Sequence, residues 1–490
     1  MNLVELLRPF LKDVPALKDR FVYGLQNDSR LISSGDVFIA YPGAVTDGRQ
    51  YIQVAIDAGA AAVLYEPSDT VIAANYSSDI PIIPFPFLET KLALIGCHFY
   101  NNPSEKLLIT GVTGTNGKTT IAYQLAQAYG LLGRRAAYIG TIGQGGVQNL
   151  QPLLNTTPDA LCLQKLLHDY ETQGVHDVCM EVSSHALSLG RVDGIAFNQA
   201  IYTNLTQDHL DFHGSMDAYA MAKASLFSKS TLQNAIINQD DPHYPLMRAQ
   251  VPATCRMLSY GLAEGADILA TQWETGMSGS TMDVLSPWGK HSLRIQSLGR
   301  FNLYNSLAVF GSLLASEAFN ASEVVEVMCE LKPSPGRMEI VNANPCVIVD
   351  YAHTPDALEN VLLMLSVLKQ AKLWVVFGCG GNRDKTKRPI MGRIASQYAD
   401  TVVLTNDNPR REDPEVIAEE VLQGMPNGVK PTIILDRRAA IEHALSHASK
   451  QDIVLIAGKG HEDYQIIGDK KYPFSDQAVV HEFFNLSMLS

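Results

Sequence analysis

The stretch from Leu107 to Leu132 constrains this chain more than any other. An apolar run, Leu107-Leu-Ile-Thr-Gly111, has the composition of a buried parallel strand. Residues Thr119 to Leu132 then show helical spacing, with Ile121, Leu125 and Leu131 on one side. The glycines of Gly111-Val-Thr-Gly-Thr-Asn-Gly-Lys-Thr-Thr120 therefore fall in a strand-to-helix turn. Such a turn aims backbone N–H groups and a helix N-terminus at one point, which suits a polyphosphate. Lys118 is placed to reach β- and γ-phosphates, and the Thr119 hydroxyl to coordinate Mg²⁺. The strict phosphate-loop pattern has glycine at position 112, where this chain has Val112. The bland alternative is a glycine-rich turn with a chance Lys-Thr after it; the flanking strand and helix favour the phosphate loop.

A chain of 490 residues predicts about three α/β domains. The formal net charge is −13, so there is no electrostatic footprint for non-specific nucleic-acid binding. An anionic small molecule can still bind where donors are concentrated. The seven cysteines are scattered without a C-x-x-C pair, which argues against a disulfide framework or zinc site and for a reducing cytoplasm. No run approaches the ~20 apolar residues of a membrane helix.

The first predicted domain, 1–88, is small and α/β. Two polar loops, Asn27-Asp-Ser-Arg30 and Pro42-Gly-Ala-Val-Thr-Asp-Gly-Arg49, flank the strand Gly35–Ala40. A helix is expected over 51–61, a strand over 62–65, and a proline-rich linker over 76–86. The second, 89–332, continues past the phosphate loop with the strand Asp177–Val182, which carries Glu181 near its C-terminal end, where phosphate-loop folds place a second metal group. The strand Ala200–Thr203 runs into Asn204-Leu-Thr-Gln-Asp-His-Leu-Asp-Phe-His213, whose carboxylates suit Mg²⁺ better than zinc. Lys223 lies in a helix over 219–227, and periodicity by itself reads it as a snorkelling surface side chain. Residues 256–296 predict a β meander, and Leu298–Asn305 opens an Ala/Leu-rich helix. In the third domain, 333–490, four apolar strands end in polar loops, predicting a Rossmann-like parallel sheet with ligand loops at the strand C-termini. Lys332-Pro-Ser-Pro-Gly336 reads as the hinge between the last two domains.

As a set, Thr113–Thr120, Glu181-Val-Ser-Ser-His185, Phe301-Asn-Leu-Tyr-Asn305, Pro335-Gly-Arg-Met-Glu339 and Asp350-Tyr-Ala-His-Thr-Pro355 resemble the motifs of the Mur ligases, in that family's order and across nearly the whole chain. Val112 is explained by the family's T-G-T-N-G-K-T loop. Asn27–Arg30, Asn155-Thr-Thr-Pro158 and Asp407-Asn-Pro-Arg410 narrow the resemblance to the branch that adds the third peptide residue. It implies ATP-driven transfer of meso-diaminopimelate to the D-glutamate side chain of UDP-N-acetylmuramoyl-L-Ala-D-Glu, through an acyl phosphate, by a cytoplasmic, monomeric enzyme of peptidoglycan precursor synthesis. Alternatives are L-lysine as the amine, folylpolyglutamate synthesis, and a non-catalytic ATP-binding regulator.

The resemblance also implies residue roles. Gly114, Thr115, Asn116, Gly117, Lys118, Thr119 and Thr120 would hold the phosphates, and Asn302, Asn305, Arg337 and Asp350 the adenosine end. Thr119, Glu181, His209 and Lys223, the last as a CO₂-derived carbamate, would hold Mg²⁺, with Lys118, His209 and Lys223 catalytic. The UDP-sugar peptide would meet Ser29, Ala44, Val45, Thr46, Asn155, Thr156, Thr157, Ser183, Leu189 and Arg191. Leu189 stands where glutamine is expected, and Asn27 where an apolar residue is expected. Arg383, Asp407, Asn408, Pro409, Arg410, Gly458 and Glu462 would bind diaminopimelate. Its distal carboxylate suits a guanidinium grip, and Glu462 would take the distal ammonium.

Overall fold

The computed structural model describes residues 1–12, 20–43, 46–68, 76 and 79–487. Its strands form three large sheets in chain order, plus a small hairpin, Tyr464–Ile467 with Lys470–Pro473. The first sheet is parallel, in the order Gly24–Gln26, Asp36–Ala40, Ala62–Tyr65, Ile82–Pro84. The last strand corrects the linker expected over 76–86. Its edge position tolerates Pro84, because a sheet edge does not need every ladder donor. The helix expected over 51–61 is the shorter Ile52–Asp57, preceded by a 3₁₀ turn, Gly48–Tyr51. Helix Leu88–Phe99 joins the first core to the next layer: Leu88, Leu92 and Ile95 pack with Leu3, Leu6, Ala160 and Leu161.

The second sheet has ten strands. Its parallel centre runs Arg256–Gly261, Asn234–Asn238, Gln199–Tyr202, Leu108–Thr113, Asp177–Glu181, Ala136–Gly140. The expected meander is present as Ile268–Gly276, Gly279–Ser286 and Gly289–Ile295, paired antiparallel and continuing the same sheet. Helices Lys118–Leu131 and Arg300–Ala315 cover one face, and Ala160–Thr172 and Met216–Ala224 the other. The phosphate-loop helix is buried almost all round from Thr119 to Tyr129, while Leu131, expected on its apolar side, is exposed at the helix end. Register decides what meets: Val112 pairs with Glu181, and Thr113 with Tyr202. The loops after three adjacent parallel strands thus open at one edge, the place where such sheets bind ligands.

The third sheet orders Glu339–Asn342, Cys346–Asp350, Ile453–Ala457, Leu373–Phe377, Thr401–Leu404, Thr432–Ile433, parallel except for the first. The four predicted strands are its centre. The two edge strands escaped prediction because they are short and only partly buried.

Candidate active site

The phosphate loop is built by its glycines. Gly114 has φ +148° and Gly117 φ +89°, and Gly117 caps helix Lys118–Leu131. A Cβ at Gly117 would stand 2.5 Å from Asn305 Oδ1, and one at Gly114 would overlap the Thr203 hydroxyl. Both positions therefore need glycine on two counts, conformation and space. The loop is braced from the next strand: Thr115 N–H donates to Asn204 O (2.8 Å), Asn116 N–H to Asn204 Oδ1 (3.0 Å), and the Thr203 hydroxyl to Asn116 O (2.6 Å).

Two lysines converge on one carbonyl. Lys118 Nζ donates to Gly114 O at 2.9 Å and to Thr115 O at 2.8 Å; Lys223 Nζ donates to the same Gly114 O at 2.7 Å. Lys223 is 1% exposed, which overturns the snorkelling reading. Its ammonium also lies 4.5 Å from the Tyr219 ring centroid, and among the described residues no carboxylate pairs with it. Burial, then the charge of Lys118, pushes the Lys223 pKa well below its ordinary value; burial lowers that of Lys118 as well. A strong positive field on a rigid, N–H-rich loop is what a triphosphate needs. A depressed lysine pKa also populates the neutral amine, the form that adds CO₂.

His209 sits beside this pair in a left-handed conformation (φ +53°), with its ring 4.7 Å from that of His185 and 6.2 Å from that of Tyr219. Burial lowers its pKa from the ordinary value, and the charges of Lys118 and Lys223 push the same way against Asp208. His213, in the same loop, bonds to the Ser184 hydroxyl at 2.9 Å. Glu181 is held rigidly: Oε1 accepts from the Tyr138 hydroxyl (2.5 Å) and Thr141 N–H (2.8 Å), Oε2 from the Thr141 hydroxyl (3.2 Å). Among the described residues no second donor reaches Oε2. Among the described residues no three His, Cys, Asp or Glu groups form a ready metal cage. The donor set fits Mg²⁺ nonetheless, a hard ion that takes one or two protein groups plus phosphate oxygens and water.

A cavity of about 660 Å³ adjoins the loop, between the second and third sheets. Asn116, Asn302, Asn305, Arg337 and Asp350 line it with Asp356 and Asn360. Asn302 and Asn305 are fixed by bonds to Leu298 O (2.7 Å) and to each other (2.9 Å). Arg337 stacks 4.5 Å from the Tyr351 ring centroid and donates to the Thr119 hydroxyl at 3.3 Å. Asp350 accepts from the N–H groups of Met338 and Ala352. Asn116 Nδ2 donates to Asp356 Oδ2 at 3.0 Å, tying the phosphate loop to helix Pro355–Leu368 of the third sheet. A larger cavity, about 1020 Å³, lies at the far sheet edge among Gln127, Arg134, Tyr170 and Lys332. None of the expected ligand residues lines it, so the smaller cavity is the nucleotide candidate.

The loops 378–383, 407–412 and 458–462 form a second centre at the C-terminal edge of the third sheet. Arg410 has φ +52° and donates to Gly381 O at 2.9 Å. A Cβ at Gly380 would lie 3.1 Å from Arg410 Nη1 and 3.8 Å from Arg383 Cγ, so both arginines close over that glycine. Burial and then the charge of Arg383 push the Arg410 pKa down. Among the described residues neither guanidinium forms an ion pair. Glu462, expected at the distal ammonium, has Oε2 accepting from Lys459 Nζ (2.7 Å) and Asn408 Nδ2 (2.9 Å).

Known proteins match all three regions. Family models describe residues 21–92 as the Mur ligase family catalytic domain, 112–313 as the Mur ligase middle domain, and 336–460 as the Mur ligase glutamate ligase domain. The chain belongs to the Mur ligase family. It is 44% identical over 463 residues to the UDP-N-acetylmuramoyl-L-alanyl-D-glutamate–2,6-diaminopimelate ligase of Chromobacterium violaceum, covering 94% of this chain and 93% of that one. A solved structure of a ligase with the same description is 36% identical with a TM-score of 0.70, covering all of both chains. Mycobacterium tuberculosis folylpolyglutamate synthase, solved with ADP, shares the fold at a TM-score of 0.64 and 17% identity over 75% of this chain and 91% of its own.

In this Mur ligase Thr156, Thr157, Ser183 and Arg191, four of the expected peptide-binding residues, gather behind Glu181. The Thr157 hydroxyl bridges Glu181 O (2.8 Å) and Ser183 N–H (3.0 Å); Thr156 meets Thr141 at 3.1 Å; Arg191 donates to Thr157 O at 3.2 Å. Asn155 and Leu189 are exposed beside them. Ser29 opens a 3₁₀ turn capped by Asp28, and Thr46 is exposed on the opposite loop. Ala44 and Val45 lie outside the described residues. Sequence reasoning missed Tyr138 and Lys459, both buried inside apolar or glycine-rich runs where only tertiary contacts reveal their partners.

Proposed function

We propose that this chain joins meso-diaminopimelate to the D-glutamate side-chain carboxylate of UDP-N-acetylmuramoyl-L-Ala-D-Glu at the expense of ATP. The observation that carries the choice of amine is the arginine pair over Gly380. A distal carboxylate would complete Arg383 and Arg410, whereas lysine would leave both without a counter-charge.

The chemistry needs positioning and charge control more than covalent help. A D-glutamate carboxylate oxygen attacks the γ-phosphorus, the bond to the β-γ bridging oxygen breaks, and ADP leaves. Lys118 and the loop N–H groups stabilise charge gathering on the phosphoryl oxygens. The diaminopimelate amine then attacks the acyl carbon. The C–O bond to phosphate breaks, and the nitrogen loses a proton as the amide forms. Thr119, Glu181, His209 and a carbamate on Lys223 would hold Mg²⁺, which supplies further charge neutralisation to the phosphates. Carbamylation replaces a desolvated cation beside Lys118 by an anion, removing the repulsion at Gly114 O. The adenosine end is assigned to Asn302, Asn305, Arg337 and Asp350, and the UDP-sugar peptide to the Ser29 and Thr46 loops and to Asn155–Thr157, Ser183, Leu189 and Arg191.

The reading takes residues 1–88, 89–332 and 333–490 as domains, with closure about 332–336. It describes a cytoplasmic monomer that binds neither nucleic acid nor membrane; the seven unpaired cysteines support a reducing compartment, and the net charge of −13 speaks against non-specific nucleic-acid binding. No helix among the described residues is long and apolar enough to cross a membrane. Phosphate release with ATP, Mg²⁺ and the UDP-muramoyl dipeptide, comparing meso-diaminopimelate with L-lysine, tests the assignment. Turnover with diaminopimelate alone supports it. Equal turnover with lysine overturns the choice of amine, and phosphate release without any amine overturns coupled ligation.

A further inference from the structure

Lys459 is a buried cation for which the ligation chemistry above has no use. It follows strand Ile453–Ala457 in Gly458-Lys-Gly-His-Glu462 and is 0% exposed. Its Nζ donates to Glu462 Oε2 at 2.7 Å and to Asn408 Oδ1 at 3.3 Å, and lies 5.4 Å from the Tyr464 ring centroid. The Ile466 N–H donates to the same Asn408 Oδ1 at 2.9 Å. Two donors on one side of the amide assign that side as oxygen. Asn408 Nδ2 then faces Glu462 Oε2 at 2.9 Å. Oε2 thus takes two protein donors, while among the described residues none reaches Oε1.

We propose that Lys459 is a positioning residue that makes the site read the configuration of the distal carbon of diaminopimelate, an inference that rests on the function proposed above. That carbon bears an ammonium, a carboxylate, a hydrogen and the chain. Its two configurations differ in where the charged groups point relative to the chain. A site separates them when both receptors are fixed. Arg410 is held beside Gly380 by its bond to Gly381 O, and Arg383, exposed, sets its stem beside the same glycine. Glutamate is a flexible side chain, and Lys459 with Asn408 pins its Oε2, which leaves Oε1 for a ligand's ammonium. Without Lys459 the carboxylate could turn to follow an ammonium in either configuration. Lys459 is fully buried while Glu462 is part-exposed, so the lysine's loss is felt at the binding step.

The experiment compares meso- and LL-diaminopimelate on the full-length enzyme, wild type first. The variants are Lys459→Met, Lys459→Gln, Glu462→Gln and the Lys459→Met/Glu462→Gln double variant. Thermal melting and ATP binding identify folded variants, and Lys459→Gln, which keeps a neutral N–H donor group, serves if Lys459→Met does not fold. The expected result is a KM for meso-diaminopimelate raised about tenfold or more, with kcat changed less than about threefold. The meso-over-LL ratio of kcat/KM falls by a similar factor. In the Glu462→Gln background, removing Lys459 changes KM less than about twofold, because the residue acts through Glu462. An unchanged meso/LL ratio, or an equal cost in both backgrounds, overturns the inference and leaves the ligase reading standing. A wild type that ligates neither isomer overturns the ligase reading and this inference with it.

Discussion

Replacing Arg410 by methionine isolates the contact that selects the amine. Both residues carry a Cβ, so the left-handed backbone at φ +52° is equally strained in each. The guanidinium is partly buried and faces Arg383, with no ion-pair partner of its own among the described residues. A charge-assisted hydrogen bond of this kind is worth about 1.5–3 kcal/mol. Losing a two-pronged grip therefore costs about 3 kcal/mol, or roughly 150-fold in kcat/KM for diaminopimelate. That is a ceiling, because Arg383 remains and loses a repulsive neighbour. Lysine responds in the opposite direction. Bound to the wild type, it leaves a desolvated guanidinium uncompensated at about 1–3 kcal/mol, and the variant removes that penalty. Its kcat/KM should hold steady or rise about tenfold, so the preference should collapse by at most about two to three orders of magnitude. The assay is initial-rate phosphate release at saturating ATP and dipeptide, with Arg410→Lys as a control that keeps a donor for Gly381 O. Equal losses for the two amines would refute the selectivity argument, since the arginine would then be serving the loop and not the ligand.

Asp356→Ala removes the 3.0 Å bond from Asn116 and with it a tie between phosphate loop and third domain. About 1 kcal/mol is at stake, so the KM for ATP should rise about fivefold and small-angle scattering should show a more open ligand-bound particle; unchanged ATP affinity would remove the tie's importance. Depleting CO₂ and bicarbonate should lower wild-type turnover reversibly, while Lys223→Ala should be inactive and indifferent to bicarbonate; full wild-type activity without CO₂ would sink the carbamate. Glu412 is held down to about 2 from 4.5, chiefly by its bonds to Arg388. Because the folded value is the lower one, this stabilisation is complete above about pH 4.5 and is lost as pH falls through about 2. Glu412→Gln should therefore lower the urea midpoint at neutral pH and match the wild type near pH 2; a deficit independent of pH would assign the loss to packing.

Much of the site could be read from the chain because parallel α/β sheets deliver ligand loops at strand ends, and strand ends are visible as apolar runs that stop at Gly, Asp or Asn. The phosphate loop, Glu181, the Asn204–His213 loop and the loops after Phe377, Leu404 and Ala457 were all located in that way. Strands Ile82–Pro84 and Thr432–Ile433 and the hairpin Tyr464–Pro473 were not, since each is short, at an edge, or half exposed, and leaves little periodic signal.

What the sequence by itself determined is local: glycines where the backbone must turn, a lysine and threonine at a helix start, arginines in loops that end strands. Only the tertiary structure decided which charges lose their water. Lys223 reads as a surface lysine along its own helix, yet the neighbouring strand end brings it to Gly114 O beside Lys118. Lys459 and Glu462 are three residues apart and would seem a simple local pair, but Asn408 from the loop after Leu404, itself held by Ile466 of the hairpin, sets which carboxylate oxygen remains available. Spacing along a chain fixes which groups can share a turn or a face. Desolvation and convergence depend on what other segments cover, and that is a property of the whole fold.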